Sequence, residues 1–284
     1  MLRRTICVDV RVDSNMSGES ARRESAESVG PRDRRLAYAE APRALAEIAS
    51  LVSAAPYLAL APRGDGHPVL VLPGLGGGDG STLVIRRYLE AQGFATASWN
   101  LGRNLGPVMD NLSQRLAERL DSVRREAGGR KVSVVGWSLG GVYARLLAQR
   151  FPEQIRQVIT LGSPIGGLPS ASSAAGAMRQ MYRGAIDLEQ SARLRRLVKE
   201  PLPGVPGTAV YSRTDGIVPW QIARQTPSDL AENVEVYGSH IGLGFNASAL
   251  YLLAERLAQP ETAWQAFQRD GWKRWVYGAD HAGG

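Results

Sequence analysis

The chain has 284 residues, carries 34 Lys+Arg against 27 Asp+Glu for a formal charge of +7, and is 44% hydrophobic with 32 Gly and 16 Pro. This is ordinary globular composition, and the length suits one large core. A single cysteine, Cys7, excludes an intramolecular disulfide framework and any CxxC metal site. The cations are 31 Arg and 3 Lys scattered along the chain rather than a phosphate-binding stripe, so nucleic acid is not an expected partner.

Residues 1–35 are rich in Arg, Ser and Glu without a period that buries a face, and are expected to form a disordered tail ahead of a domain spanning 36–284. The opening Met1-Leu-Arg-Arg resembles a secretory signal, but its apolar run ends at Val10 and holds Asp9. From Leu36 to Val52, apolar residues at Leu36, Tyr38, Leu45, Ile48, Leu51 and Val52 follow helical spacing, with Pro56 expected to close the helix. The longest apolar stretch, Ala44 to Ala61, contains Glu47 and Pro56 and falls short of a membrane span of about 20 residues. A soluble, cytoplasmic protein is expected.

Pro68-Val-Leu-Val-Leu-Pro73 is a continuous apolar run that ends in a glycine loop, Gly74 to Gly80, as a strand buried on both faces would. The alternation then repeats: helix-like Ser81–Gln92, strand-like Phe94–Trp99, helix-like Asn111–Ala127, strand-like Lys131–Gly136, helix-like Gly140–Arg150 and strand-like Val158–Leu161. After an insertion, Ile165–Pro206, the rhythm resumes with Thr208–Tyr211, Asn233–Tyr237 and a helix over Ala247–Ala258. The expected fold is α/β, a mostly parallel, doubly wound sheet. The Gly74–Gly80 loop lacks the Gly-Lys-Ser/Thr of a phosphate cradle, which argues against nucleotide binding.

Gly136-Trp137-Ser138-Leu139-Gly140 sets a G-x-S-x-G between an expected strand and an expected helix. A strained turn there would hold the serine clear of the sheet, with a helix N-terminus behind it. A serine hydroxyl needs a base, and the chain offers three histidines: His67 before the first core strand, His281 near the end, and His240 after the last expected strand. Position favours His240, because strand C-termini in parallel sheets carry ligands and catalytic groups. Asp215, in the loop after the penultimate strand, is the preferred orienting acid, with Asp187, Asp229 and Glu232 as competitors. One helix between Asp215 and His240 is expected to bring their loops to the same sheet edge.

With the order Ser138, Asp215, His240 in place, the chain resembles the α/β-hydrolase superfamily, nearest to bacterial lipase/esterase-like members. The resemblance spans about Pro68 to Gln259 and rests on Pro-Gly-Leu-Gly-Gly, the G-W-S-L-G-G elbow, Leu161-Gly-Ser-Pro164, Y-S-x-T-D-G and G-S-H. It implies Ser138 as nucleophile, Asp215 as acid and His240 as base, with the backbone amides of Leu75 and Leu139 as oxyanion donors. Many lipases carry His-Gly where this chain has Pro73-Gly74. The resemblance also makes 165–206 a cap, whose Met178 and Met181 with Trp137 and Trp220 are candidate acyl-pocket residues. No cofactor or metal is implied. The substrate expected is a small-molecule ester or lipid with an apolar acyl group. Peripheral membrane contact through Arg193, Arg195 and Arg196 or the C-terminal aromatics is the less favoured reading of those residues. Acyl transfer, amide cleavage and a non-catalytic binding role stay open as alternatives.

Overall fold

Each of the five residues of strand β1, Pro68–Leu72, is buried. Two-sided burial requires neighbours on both edges and layers on both faces. A computed structural model, which describes residues 34–166 and 196–279, provides both. Strands β1, β2 (Ala95–Ser98), β3 (Val132–Trp137), β4 (Ile155–Leu161), β5 (Gly207–Tyr211) and β6 (Ala231–Glu235) form one sheet in the order β2-β1-β3-β4-β5-β6. Every pairing is parallel. The expected α/β fold, a doubly wound parallel sheet, is the fold observed.

Side-chain alternation divides β1 between two cores. Val69 and Val71 join Val135, Ile159 and Val210 on one face, under helices α2 (Glu40–Leu58), α3 (Leu83–Ala91) and α6 (Ala247–Leu257). Leu70 and Leu72 join Val132, Val134 and Val158 on the other, under α4 (Leu112–Glu126) and α5 (Leu139–Arg150). A fully buried aliphatic side chain of this kind contributes about 1.5–3 kcal/mol. The strand order reverses at β1, whose neighbours β2 and β3 lie on opposite sides, and a crevice at such a switch point is where open α/β sheets carry ligands.

Four expectations change. A short helix α1, Arg34–Tyr38, precedes α2, and α2 runs past Pro56 to Leu58. Burial of Leu58 and the bond between the Tyr57 and Tyr277 hydroxyls at 3.0 Å hold that last turn in spite of the proline. The face of α2 turned inward is also not the one the apolar spacing marks. Leu45, Ile48 and Val52 are exposed, as is Tyr38 at the end of α1, while Glu40 is 3% exposed. Between β5 and β6 the described chain forms a 3-10 turn, Trp220–Ile222, rather than a helix. The aromatic-rich C-terminus forms only a four-residue helix, α7 (Lys273–Val276); Tyr277 is buried and Trp272 packs edge-on against Tyr57 and Tyr251, whereas Trp275 is exposed. The expected tail, 1–33 of it, and most of the expected cap, 167–195, lie outside the described residues. Among the described residues no helix is long and apolar enough to cross a membrane.

At the sheet end remote from Ser138, His67 is fully buried. Its Nδ1 lies 2.6 Å from Asp65 Oδ1 and its Nε2 2.9 Å from Ser133 Oγ. Arg130 and Arg156 donate to Asp65 Oδ2 at 2.9 and 3.2 Å. Burial, aided by the charge of Arg156 and opposed by Asp65, pulls the His67 pKa down to about 4 from the model-compound 6.5. The unfolded chain therefore binds a proton that the native chain refuses across this window, and stability present above pH 6.5 is lost as pH falls toward 4. The expected loss is up to ~3 kcal/mol, read as a falling denaturant midpoint between pH 7 and pH 4.5. His67→Gln should flatten that slope; an unchanged slope would move the acid sensitivity to other groups.

Candidate active site

The turn from β3 into α5 is built by exclusion. A Cβ on Gly136 would overlap the carbonyl of Gly140 and Cα of Gly141, and one on Gly140 would overlap the Leu72 carbonyl, so neither position accepts a larger residue. Between them Ser138 is held at φ 53°, ψ −120°, a region that non-glycine residues rarely occupy. The strain lifts the side chain off the end of β3. Leu139 opens α5, and a first-turn amide has no acceptor within its own helix. The loop after β1 passes over the serine: a Cβ on Gly74 would lie 3.2 Å from Ser138 Cβ. Leu75, next in that loop, is half-buried.

Ser138 Oγ lies 3.0 Å from His240 Nε2, and His240 Nδ1 lies 2.6 Å from Asp215 Oδ2. The other Asp215 oxygen accepts from the backbone of Ile217 at 2.8 Å and Val218 at 2.7 Å, which fixes the carboxylate's orientation. His240 and Asp215 are 6% and 9% exposed, so the line of hydrogen bonds is shielded from water along most of its length. The three residues expected to work together are adjacent. The competing carboxylates are placed elsewhere: Asp229 is exposed, and Glu232 accepts from Thr208 Oγ1 and Arg256. Asp187 lies outside the described residues.

Trp137 is buried, with Nε1 donating to the carbonyl of His240 at 3.1 Å and its ring edge-on to Phe245. These contacts make it a support beneath the His240 loop, a role the sequence reading did not anticipate. Trp220, half-buried, stacks on Tyr211 at 6.0 Å with Arg213 4.5 Å over its ring. Met178 and Met181 lie outside the described residues. No group of His, Cys, Asp or Glu able to hold a metal ion occurs among the described residues.

Gly162, in the Leu161-Gly-Ser-Pro164 strand end, explains why that motif matters. It sits at φ 54°, and a Cβ there would lie 3.1 Å from both Asp215 Oδ2 and His240 Nδ1 and 2.6 Å from Leu243 Cδ1. Gly162→Ala should thus press on the acid and base together. The expected result is a loss of about 1–3 kcal/mol in stability from the strained φ and the overlap, accompanied by a lower kcat. A variant with wild-type kcat and melting temperature would show that β4 can yield.

The parallel sheet, the strained serine at its switch point and the adjoining histidine and aspartate define an α/β-hydrolase arrangement. Residues 67–190 match the family described as alpha/beta hydrolase fold. The fold is that of the α/β hydrolases, and the matched segment carries the strained serine. The chain is 36% identical over 99 residues to RutD of Klebsiella pneumoniae, named as a candidate carbamate hydrolase, covering 33% of this chain and 37% of that one. It is 28% identical over 160 residues to the human serine hydrolase BPHL, covering 53% of this chain and 51% of that protein. The matches thus span from about a third to about half the length of these relatives. A lipase-esterase related protein from Clostridium acetobutylicum superposes with a TM-score of 0.49 at 12% identity, covering 69% of this chain and 97% of that one.

Proposed function

We propose that the protein is a serine hydrolase that cleaves carboxylic esters through an acyl-enzyme on Ser138. The observation that carries this reading is the hydrogen-bonded line from Asp215 Oδ2 through both ring nitrogens of His240 to the Oγ of a serine at φ 53°. In this mechanism His240 Nε2 takes the Ser138 proton as Oγ attacks the ester carbonyl, while Asp215 holds Nδ1–H and stabilises the imidazolium. The amides of Leu75 and Leu139 receive the oxyanion. His240 then gives its proton to the departing alcohol, and a water activated by the same ring releases the acid. No cofactor takes part.

Lipase or esterase action on an apolar acyl group is favoured by the bacterial lipase-like motifs around the site. Trp220, half-buried beside the Asp215 loop, is the described residue proposed to contact the substrate. Met178 and Met181 are proposed to join it. The test is fluorophosphonate labelling with peptide mass analysis, followed by an acyl-length series of p-nitrophenyl esters with and without an added alcohol. Label on Ser138 and release of free acid support the proposal. Label elsewhere, or none, overturns it, and an ester product formed with the added alcohol redirects it to acyl transfer.

A further inference from the structure

Two carboxylates on the inward face of α2 are directed at the backbone of the loops that carry Asp215 and His240. Glu40 Oε1 accepts from the amide of Gly216 at 2.7 Å and from that of His240 at 3.0 Å, and Oε2 accepts from Ile241 at 2.9 Å. Seven residues on, Glu47 Oε1 accepts from the amide and hydroxyl of Ser239 at 2.7 and 2.8 Å, and Oε2 accepts from Asn246 Nδ2 at 3.1 Å. Between them Arg43 donates to the carbonyl and hydroxyl of Thr214 at 2.7 and 2.8 Å. One helix face thus grips residues 214, 216, 239, 240 and 241.

The glycines of those loops are fitted to the helices. A Cβ on Gly216 would lie 2.5 Å from the Leu36 carbonyl, and one on Gly242 would overlap the Glu47 carboxylate. Glu40 is buried and Glu47 half-buried, and a carboxylate so placed with three donors is costly to unpair. Leu51, Tyr57 and Leu58 of the same helix pack on the core, so apolar burial seats the C-terminal half of α2 while the carboxylates hold the loops from its N-terminal half. Residues 34–58 precede the segment matched by the family, 67–190.

We infer that Glu40, with Arg43 and Glu47, is a positioning residue for the proposed hydrolysis: the strap fixes the Asp215 and His240 loops relative to each other and places negative charge behind the imidazole. The inference rests on the proposed role of His240. Around that ring the charged groups are Asp215 at Nδ1, Glu40 at the backbone amide, Arg43 4.0 Å from Glu40, and Glu47 at Ser239.

The experiment compares Glu40→Ala and Glu40→Gln with Leu51→Ala, a change on the same helix that removes core packing and leaves the carboxylates and their hydrogen bonds in place. Glu40→Ala is expected to lower kcat and the fluorophosphonate labelling rate by about tenfold or more with KM little changed, and to broaden or shift the downfield proton resonance of His240 Nδ1. Glu40→Gln keeps one acceptor oxygen and removes the charge. Its kcat/KM profile should have its acid limb moved to lower pH by about half a unit, because the imidazolium loses a favourable neighbour. Leu51→Ala should lower the melting temperature and leave kcat, the pH profile and the resonance in place. Glu40 variants that lose melting temperature like Leu51→Ala while keeping all three readouts overturn the inference. If Glu40→Ala does not fold, Glu40→Gln and Arg43→Ala decide it by the same readouts. A wild-type chain that takes no label at Ser138 would defeat the proposed function, and the His240 resonance in the Glu40 variants would still decide the strap.

Discussion

Ser138→Ala is expected to reduce ester turnover by about 10⁶ in kcat, because removal of a nucleophile that works as a unit with its base and acid collapses the whole arrangement. The fold should be untouched. The change deletes one hydroxyl whose partner, His240 Nε2 at 3.0 Å, is held independently by Asp215 and by the Trp137 bond to its own carbonyl. Alanine also inherits the φ of 53° without relief, so the melting temperature should stay near the wild-type value. Active-site titration of purified protein separates true residual activity from contamination. Turnover within about tenfold of wild type would remove Ser138 from the mechanism.

Asp215→Asn should follow, with a loss of about 10²–10⁴ in kcat at neutral pH, the upper figure being the cost of the comparable change in a serine protease. The structure gives the reason in atoms. Oδ1 accepts two backbone N–H bonds, from Ile217 and Val218, and Oδ2 faces His240 Nδ1, so the side chain is required as an acceptor on both oxygens. An amide has one acceptor. With its oxygen kept on the loop amides, its NH₂ is presented to Nδ1, which must then accept, and the ring proton is driven to Nε2, where it blocks proton uptake from Ser138. Asp229→Asn, on an exposed residue, should cost less than about tenfold. The opposite ranking would transfer the acid role.

The β1, β3 and β4 runs were legible because two-sided burial leaves uninterrupted apolar stretches, and the elbow because glycine is the only residue that its crowded turn admits. His240 was singled out by its place after the last strand and the scarcity of histidines, and it lies beside Ser138 and Asp215. Helix α2 was legible as a helix and illegible in orientation. Apolar spacing points to Leu45, Ile48 and Val52 as its buried stripe, whereas the donors that decide the matter are backbone amides of Gly216, Ser239, His240 and Ile241, which carry no side-chain signature. The contact of Trp137 with the His240 loop was hidden for a similar reason: its partner is a main-chain carbonyl. The β5–β6 connection was read as a helix because parallel strands usually need one, yet Asp215 turns the chain with its own side chain before the 3-10 turn at Trp220–Ile222.

The bonds from Glu40 and Glu47 span 176 to 201 residues of sequence. During synthesis the helix that braces these loops therefore emerges about two hundred residues before its partners. The core that β1, β3 and β4 share with α4 and α5 can form before those partners appear, whereas the opposite core waits for β5, β6 and α6. The serine is thus displayed on a formed scaffold while the histidine is still being translated. Ser138, His240 and Asp215 come together in one late step, when residues 214 to 241 dock onto a helix already in place.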